Sequence, residues 1–166
     1  MRKKMICLAL ALVLAEVKLF TLPQSGSVTP CSMLFIALIG YWYGARAGVL
    51  AGVTCGLLRI LLGAYIIHPI QFALDYPLAY GALGLAGLFR GPSIKNLYIG
   101  FCVGVLGLFL CHFIAGVVFF GSFAPAGQNV FLYSAIYNGT FTAAEAALTL
   151  VLISLPPIRA VINHLR

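Results

Sequence analysis

The side chains with the greatest potential for chemistry stand in residues 65–76, which read Tyr-Ile-Ile-His-Pro-Ile-Gln-Phe-Ala-Leu-Asp-Tyr. The segment places His68, Gln71 and Asp75 among apolar neighbours, and Asp75 is one of only three acidic residues in a chain of 166. A carboxylate is costly in apolar surroundings, and at membrane depth such residues usually mark a binding site, an ion path or a charge pair. Asp75 is therefore the first candidate binding residue, and the rest of the chain has to position it.

The composition is typical of an integral membrane protein. Hydrophobic residues make up 63% of the chain and charged residues 8%, and the mean hydropathy is +1.09. Soluble domains are about half apolar and about a quarter charged. We therefore predict an all-α integral membrane protein, and the length fits a single domain, residues 1–166.

The net charge of +7 does not indicate a nucleic-acid-binding protein. The Lys and Arg residues stand mostly singly at the ends of apolar runs and form no continuous patch or recognition motif. They resemble the basic residues that fix the orientation of membrane helices. We expect no nucleic acid partner.

Six apolar runs predict six transmembrane helices. A helix needs about 20 apolar residues to cross a bilayer, so six spans use nearly the whole chain. Segments that contain Pro, Gly or Arg separate the runs. The predicted helices cover residues 5–22, 31–45, 47–68, 70–89, 94–120 and 130–155.

The distribution of basic residues predicts that both termini are cytoplasmic. With the N-terminus inside and the helices alternating in direction, eight of the ten Lys and Arg residues fall at cytoplasmic ends. The exceptions are Lys18, near the outer end of the first helix, and Arg59, inside the third. We expect a multi-pass protein of the cell (plasma) membrane.

The first helix carries small residues at intervals of four: Cys7, Ala11 and Ala15. In lipid such a stripe lets another helix approach closely. The sequence leaves two readings open. The stripe either packs inside the bundle or forms a docking surface for a partner protein.

Polar residues from three predicted helices reach the outer half of the membrane. Gln71 and Asp75 share a face of the fourth helix because they are four residues apart, His112 lies about two turns from the outer end of the fifth, and Tyr133 and Asn138 lie in the outer part of the sixth. Together they predict a ligand site. Five residues separate Tyr133 from Asn138, about 140° around a helix, so both fit one pocket only if Tyr133 lies at the frayed start of the helix or in the loop before it.

Arg59 and Glu145 are the other charges predicted at membrane depth. They lie at comparable depths in the third and sixth helices, and intramembrane charges usually pair. We expect a buried Arg59–Glu145 ion pair. A proton or ion relay is the alternative.

Catalytic and metal-binding motifs are missing from the sequence. It has no P-loop, no Gly-x-Ser-x-Gly and no His-Glu-x-x-His. The five cysteines make no Cys-x-x-Cys pair and are expected to be packing residues. We expect no metal, no cofactor and no catalysis in this chain, so any ATP that drives its function must be hydrolysed by another protein.

At these residues the sequence resembles the thiamine-specific substrate-binding subunit of energy-coupling-factor (ECF) vitamin transporters. The resemblance runs from about residue 5 to 155, and its most specific segments are residues 68–89 and 112–116. The matching segments are Gly-Ser-Val-Thr-Pro-Cys-Ser-Met (26–33), His-Pro-Ile-Gln-Phe-Ala-Leu-Asp-Tyr-Pro-Leu-Ala-Tyr-Gly-Ala-Leu-Gly-Leu-Ala-Gly-Leu-Phe (68–89), His-Phe-Ile-Ala-Gly (112–116) and Tyr-Ser-Ala-Ile-Tyr-Asn-Gly (133–139).

The resemblance implies a six-helix bundle that binds thiamine at its extracellular side. It also implies association through the first helix with a transmembrane coupling protein and two ATPase subunits, and a lid formed by residues 23–30. The family's carboxylate can be Glu where this chain has Asp75, and an aromatic position often filled by Trp is Phe120. The site pattern carries over to Tyr65, Asp75, Tyr76, His112, Phe120, Tyr133 and Asn138, to which the helix-face argument adds Gln71.

Thiamine also fits the chemistry of these side chains. Asp75 would neutralise its thiazolium cation, and His112 and Phe120 would provide the stacking surfaces. Tyr133 and Asn138 would read its aminopyrimidine. Two alternatives stay open: the same fold with another cationic or aromatic vitamin precursor as its ligand, and an intramembrane enzyme that uses Asp75 and His112 as acid and base. No role is predicted for His68.

Overall fold

A computed structural model describes residues 2–23 and 26–165 as a bundle of helices with one short hairpin. Most helices begin and end close to the predicted bounds, but the first and third helices end early and there is an additional helix after residue 155. In chain order the helices are α1 (Arg2–Glu16), α2 (Ser32–Tyr43), α3 (Ala45–Leu62), α4 (Pro69–Phe89), α5 (Ile94–Phe119), α6 (Val130–Ser154) and α7 (Pro156–His164).

Four of these helices are long and apolar enough to cross a bilayer, judged by length and composition. They are α3, α4, α5 and α6, which have 18, 21, 26 and 25 residues. The helices α1 and α2 are shorter, with 15 and 12 residues. The chain is therefore a mostly helical membrane protein, as the composition predicts.

The first helix is shorter than predicted, because the chain after Glu16 turns into a hairpin. The strands β1 (Phe20–Thr21) and β2 (Ser27–Val28) pair antiparallel, with Phe20 opposite Val28. Apolar composition made residues 17–22 look helical, but here their hydrogen bonds are made to the opposite strand, as from Leu19 N to Val28 O at 2.9 Å. The prediction of an all-α chain is wrong at this hairpin. Residues 24 and 25 of the implied lid lie outside the described residues.

Two further boundaries differ from prediction. The third helix ends at Leu62 rather than at residue 68, because Gly63 takes a left-handed conformation with φ of +82° and stops it. The helix α7 was not predicted. It is amphipathic, with Ile162 buried against the bundle and the polar Asn163 and His164 exposed. Pro156 at its first position begins a new helix after α6 ends.

The helix α4 contains a wide turn that positions Asp75. Residues Leu74–Leu78 form a π-helical turn between two α-helical segments. Pro77 lies within it and has no backbone N–H to donate to the carbonyl four residues earlier, which favours a locally widened helix. The backbone of α3 lies directly against this turn, since a Cβ added at Gly56 would lie 2.5 Å from the carbonyl carbon of Tyr76.

The small-residue stripe of α1 packs inside the protein. Cys7, Ala11 and Ala15 are 7%, 1% and 2% exposed, and α1 packs mainly on α2. This burial favours the reading in which the stripe packs within the bundle, and the docking of a partner protein on these three residues stays a prediction. The missing side-chain volume lets neighbouring helices approach α1, and the face of α1 that stays exposed carries larger residues such as Ile6 and Val13.

Lys3, Lys4 and Arg159 gather at one end of the bundle, which we call the basic end. Contacts between distant parts of the chain define it: Lys3 Nζ donates to Leu165 O at 2.9 Å, and Lys4 Nζ lies 4.4 Å from the centre of the Tyr43 ring. Arg159 Nη2 donates to the Tyr98 hydroxyl at 3.2 Å. The candidate site residues of α4, α5 and α6 lie toward the opposite end, since α5 begins near Tyr98 and α6 ends shortly before Arg159.

The predicted Arg59–Glu145 ion pair is wrong. Arg59 pairs with Glu16 at the end of α1. Glu145 is 2% exposed and accepts hydrogen bonds from four groups at the start of α2: Thr29 N (3.0 Å), Thr29 Oγ1 (2.7 Å), Ser32 Oγ (2.9 Å) and Met33 N (3.2 Å). Comparable depth suggested the pair, but a helix start also offers free N–H groups and carries a partial positive charge.

Double-mutant cycles on the free energy of unfolding test whether Arg59 is paired with Glu16 or with Glu145. In detergent, we expect Arg59→Ala and Glu16→Ala to be non-additive by at least about 0.5 kcal/mol, because they share one ion pair. Arg59→Ala and Glu145→Ala should add within about 0.5 kcal/mol. Additivity in the first cycle together with coupling in the second would restore the original pairing.

Candidate binding site

A cavity opens at the end of the bundle opposite the basic end. Its empty volume is about 1000 Å³, including the solvent at its mouth, which is at the upper end of the size range of small-molecule sites. All eight predicted binding residues line it, although they come from five different elements. These residues are Tyr65, Gln71, Asp75, Tyr76, His112, Phe120, Tyr133 and Asn138.

Asp75 lies in the wide turn of α4 and lines the cavity. Its Oδ2 accepts a hydrogen bond from Gln71 Nε2 at 2.7 Å, so the predicted shared face of these two residues is confirmed. Among the described residues, no Lys, Arg or His side chain lies within ion-pair distance of Asp75. A half-buried carboxylate with one amide partner can still accept several further hydrogen bonds.

His112 reaches α4 from α5 but does not contact the Asp75 carboxylate. Its Nε2 lies 3.1 Å from the main-chain oxygen of Asp75, within hydrogen-bond distance. Its ring lies 5.7 Å from that of Phe141, tilted by 43°. The acid–base pair of the enzyme alternative is therefore not formed, and the imidazole instead presents an aromatic surface beside the carboxylate.

The loop between α3 and α4 closes one side of the cavity through Gln71 and Tyr76. The Gln71 amide accepts from Ile67 N at 3.1 Å and donates to Tyr65 O at 3.2 Å, and the Tyr76 hydroxyl accepts from Tyr65 N at 2.9 Å. The Tyr65 ring then lies 6.3 Å from that of Phe120. Gln71, only 1% exposed, thus positions both the carboxylate and this aromatic wall.

The helix α6 supplies Tyr133 and Asn138 to the opposite wall. Tyr133 lies in the first turn of α6, where its N–H donates to Asn129 O at 2.9 Å, so neither the loop nor fraying is needed to bring it into the cavity. Asn138 is 6% exposed and donates from Nδ2 to the carbonyl and hydroxyl oxygens of Ser134 at 3.0 and 3.1 Å. The cavity extends along the part of the α6 surface between Tyr133 and Asn138, so both residues line it.

The sequence analysis missed Tyr137, which lies between these two residues on α6 and also lines the cavity. Its ring stacks on that of Tyr133 at 6.0 Å and 29°. Its hydroxyl accepts from Gly26 N at 3.0 Å and donates to Pro23 O. The signal was present in the sequence, since Tyr133 and Tyr137 are four residues apart on one helical face.

The hairpin segment and the charged residues Arg59 and Glu145 also line the cavity. Gly26, Ser27 and Thr29 of the hairpin segment face the cavity. Glu145 has its acceptor capacity filled by the start of α2, whereas Asp75 does not. Of the two cavity carboxylates, Asp75 is thus the one available to a cation.

His68, whose role was left open, caps α4. Its Nδ1 accepts from Ile70 N at 3.1 Å, and its ring stacks on Phe119 at 5.0 Å and 26°. It is absent from the cavity lining. The structure assigns it to the start of the helix rather than to the ligand.

Comparison with protein families finds one family model over almost the whole chain. The model is described as a thiamine transporter protein and matches residues 1–163. A thiamine transporter, ThiT, from Bacillus subtilis is 37% identical over 134 residues, which cover 73% of this chain and 69% of the relative. ThiT from Lacticaseibacillus paracasei is 33% identical over 134 residues, which cover 71% of this chain and 67% of the relative.

A solved structure of ThiT from Listeria monocytogenes has the same fold. It superposes with a TM-score of 0.83 at 27% sequence identity, over 92% of this chain and 90% of that chain. The relatives are named transporters, which rules against the alternative of an intramembrane enzyme. With the family model matched over residues 1–163 and two relatives above 30% identity, the chain belongs to the thiamine transporter protein family.

Proposed function

We propose that this protein is the thiamine-binding membrane subunit of an ATP-driven ECF importer and binds its ligand tightly without chemical turnover. The observation that carries the proposal is Asp75, a carboxylate in an aromatic cavity whose one side-chain hydrogen bond among the described residues comes from the neutral Gln71. A cation bound there would supply the missing charge. Thiamine is the ligand named for the relatives.

The thiazolium ring fits beside Asp75 on grounds of charge and shape. It carries a permanent positive charge, which the carboxylate neutralises, and aromatic faces stabilise such a cation by about 0.5–2 kcal/mol each. His112 and Phe120 line the same cavity and give two such faces. Tyr65, held against Phe120, extends the wall.

The aminopyrimidine ring of thiamine fits the α6 side of the cavity. It offers an amino donor and ring-nitrogen acceptors, which match an amide and a phenol. Asn138 is fixed by Ser134 through its Nδ2, which leaves its amide oxygen as the acceptor for the amino group. Tyr133 is the second pyrimidine contact in this proposal.

The orientation and the partners belong to the same proposal. Six membrane crossings, with α1 and α2 completing the four longer spans, place both termini in the cytoplasm and the cavity at the extracellular side of the cell membrane. The concentration of Lys and Arg at the basic end supports this orientation. A transmembrane coupling protein and two ATPases would supply the energy. Since Cys7, Ala11 and Ala15 are buried in this structure, the face that α1 leaves exposed is the part of α1 open to these partners.

Thiamine binding and its dependence on Asp75 can be tested by isothermal titration of the purified protein. We expect the wild type to bind thiamine and Asp75→Asn to lose affinity by about 30-fold or more, because removing one partner of a buried charge pair costs about 2–5 kcal/mol. The amide keeps the shape but not the charge. Absence of wild-type binding would overturn the function, and normal affinity of Asp75→Asn would overturn the counter-ion role.

A matched ligand separates charge from shape. An analogue whose thiazolium is replaced by an uncharged aromatic five-membered ring should bind wild type and Asp75→Asn with similar affinities. A different vitamin precursor as the true ligand would be revealed by tighter binding than thiamine in the same titration. Both comparisons use the same protein preparations.

The orientation can be tested by cysteine labelling of whole cells with a membrane-impermeant maleimide. Ser122→Cys, in the exposed α5–α6 connection, should react from outside. Pro92→Cys, in the exposed α4–α5 turn, should react only after the membrane is permeabilised. The wild-type protein gives the background from its five cysteines, and the reverse labelling pattern would invert the proposed topology.

A further inference from the structure

We propose that Tyr137 is a positioning residue that keeps bound ligand in the cavity by holding the β1–β2 hairpin closed over it. This inference rests on the proposed function, because it concerns the rate at which thiamine leaves. Tyr137 was not among the residues that the sequence pointed to. It emerges from contacts that join α6 to the hairpin.

A single hydroxyl group joins both sides of the hairpin to α6. The Tyr137 hydroxyl donates to Pro23 O on the β1 side and accepts from Gly26 N on the β2 side, the latter at 3.0 Å. The hairpin itself is narrow there, with Leu22 N donating to Gly26 O at 2.6 Å. One side-chain oxygen thus satisfies two main-chain groups where the hairpin reaches α6.

The backbone at Gly26 is shaped for this contact. A Cβ added at Gly26 would lie 2.6 Å from the Tyr137 oxygen and 3.1 Å from a Phe141 ring carbon, so any larger residue would force the hydroxyl away. Gly26 is buried although it belongs to a connecting segment. The absence of a side chain at position 26 and the phenol at position 137 therefore form one complementary contact.

Tyr137 also faces the ligand site. Its ring stacks on Tyr133, which is a proposed pyrimidine contact, and meets Phe141 edge-on at 5.9 Å and 78°. Gly26 and Ser27 of the hairpin line the same cavity. A ligand that packs on Tyr133 would restrict the neighbouring Tyr137 ring and so favour the position in which the hydroxyl holds the hairpin.

Loss of the Tyr137 hydroxyl should therefore change the rate at which thiamine dissociates rather than the shape of the site. Tyr137→Phe removes one oxygen and keeps the ring that stacks on Tyr133. We expect bound thiamine to leave about tenfold faster, which corresponds to about 1.4 kcal/mol, while the association rate changes by less than about threefold. A residue that only stabilised the fold would not produce this split.

The experiment measures exchange of bound radiolabelled thiamine against excess unlabelled thiamine on the full chain in lipid nanodiscs, with association followed by rapid filtration. Tyr98→Phe is the matched control, because Tyr98 is another half-buried tyrosine whose hydroxyl is hydrogen-bonded, to Arg159 at the basic end. Its exchange rate should equal that of the wild type. The melting temperatures of the two Phe variants should agree.

Gly26→Ala gives an independent second variant. It should displace the hydroxyl by steric conflict and accelerate exchange to a similar degree. The double variant with Tyr137→Phe should show no further acceleration, since both substitutions break the same contact.

The outcomes separate this inference from the proposed function. Failure of the wild type to bind thiamine overturns the function and this inference with it. Binding by the wild type with unchanged exchange from Tyr137→Phe overturns the role of Tyr137 alone. It is also overturned if the loss falls on association, or if exchange accelerates only in step with lost thermal stability.

Discussion

The structure depends on keeping two carboxylates inside an apolar helical bundle. Burying an unpaired charge costs several kcal/mol, so each carboxylate needs partners, and the two obtain them differently. Glu145 accepts from two backbone N–H groups and two hydroxyls at the start of α2. Asp75 has the Gln71 amide. Glu145 therefore stabilises the fold, whereas Asp75 keeps acceptor capacity for the proposed ligand.

Asp75 remains in place because the backbone around it is arranged for it. Pro77 favours the wide turn of α4, and Gly56 lets α3 lie against that turn. Gln71 connects Asp75 to the loop that carries Tyr65. A proline, a glycine and a glutamine thus hold the acidic side chain in place, and the cavity forms where the neighbouring side chains converge.

The sequence predicted the membrane class, the bounds of α2, α4, α5 and α6 to within two residues, and the eight residues that converge on the cavity. These calls succeed because hydropathy and the depth of polar residues are properties of single segments. It failed where the outcome depends on contacts between segments. The partner of Arg59 is Glu16 rather than Glu145 because the uncapped start of α2 competes for the Glu145 carboxylate. The hairpin was missed because residues 17–22 are mostly apolar and continue the apolar run of the first helix.

The helix α6 links the ligand site to the hairpin at two points of unequal strength. Glu145 holds the base of the hairpin segment, at Thr29, through buried contacts that continue into α2, whereas Tyr137 holds Pro23 and Gly26 through one hydroxyl at a half-buried position. A typical hydrogen bond contributes about 1 kcal/mol net, and leaving a buried acceptor unpaired costs about 1–3 kcal/mol. Opening at Tyr137 therefore costs much less than opening at Glu145. The hairpin should therefore separate from α6 first at Pro23 and Gly26 while Thr29 stays bound to Glu145, and a ligand that packs on Tyr133 as proposed would bias this equilibrium through the Tyr137 ring.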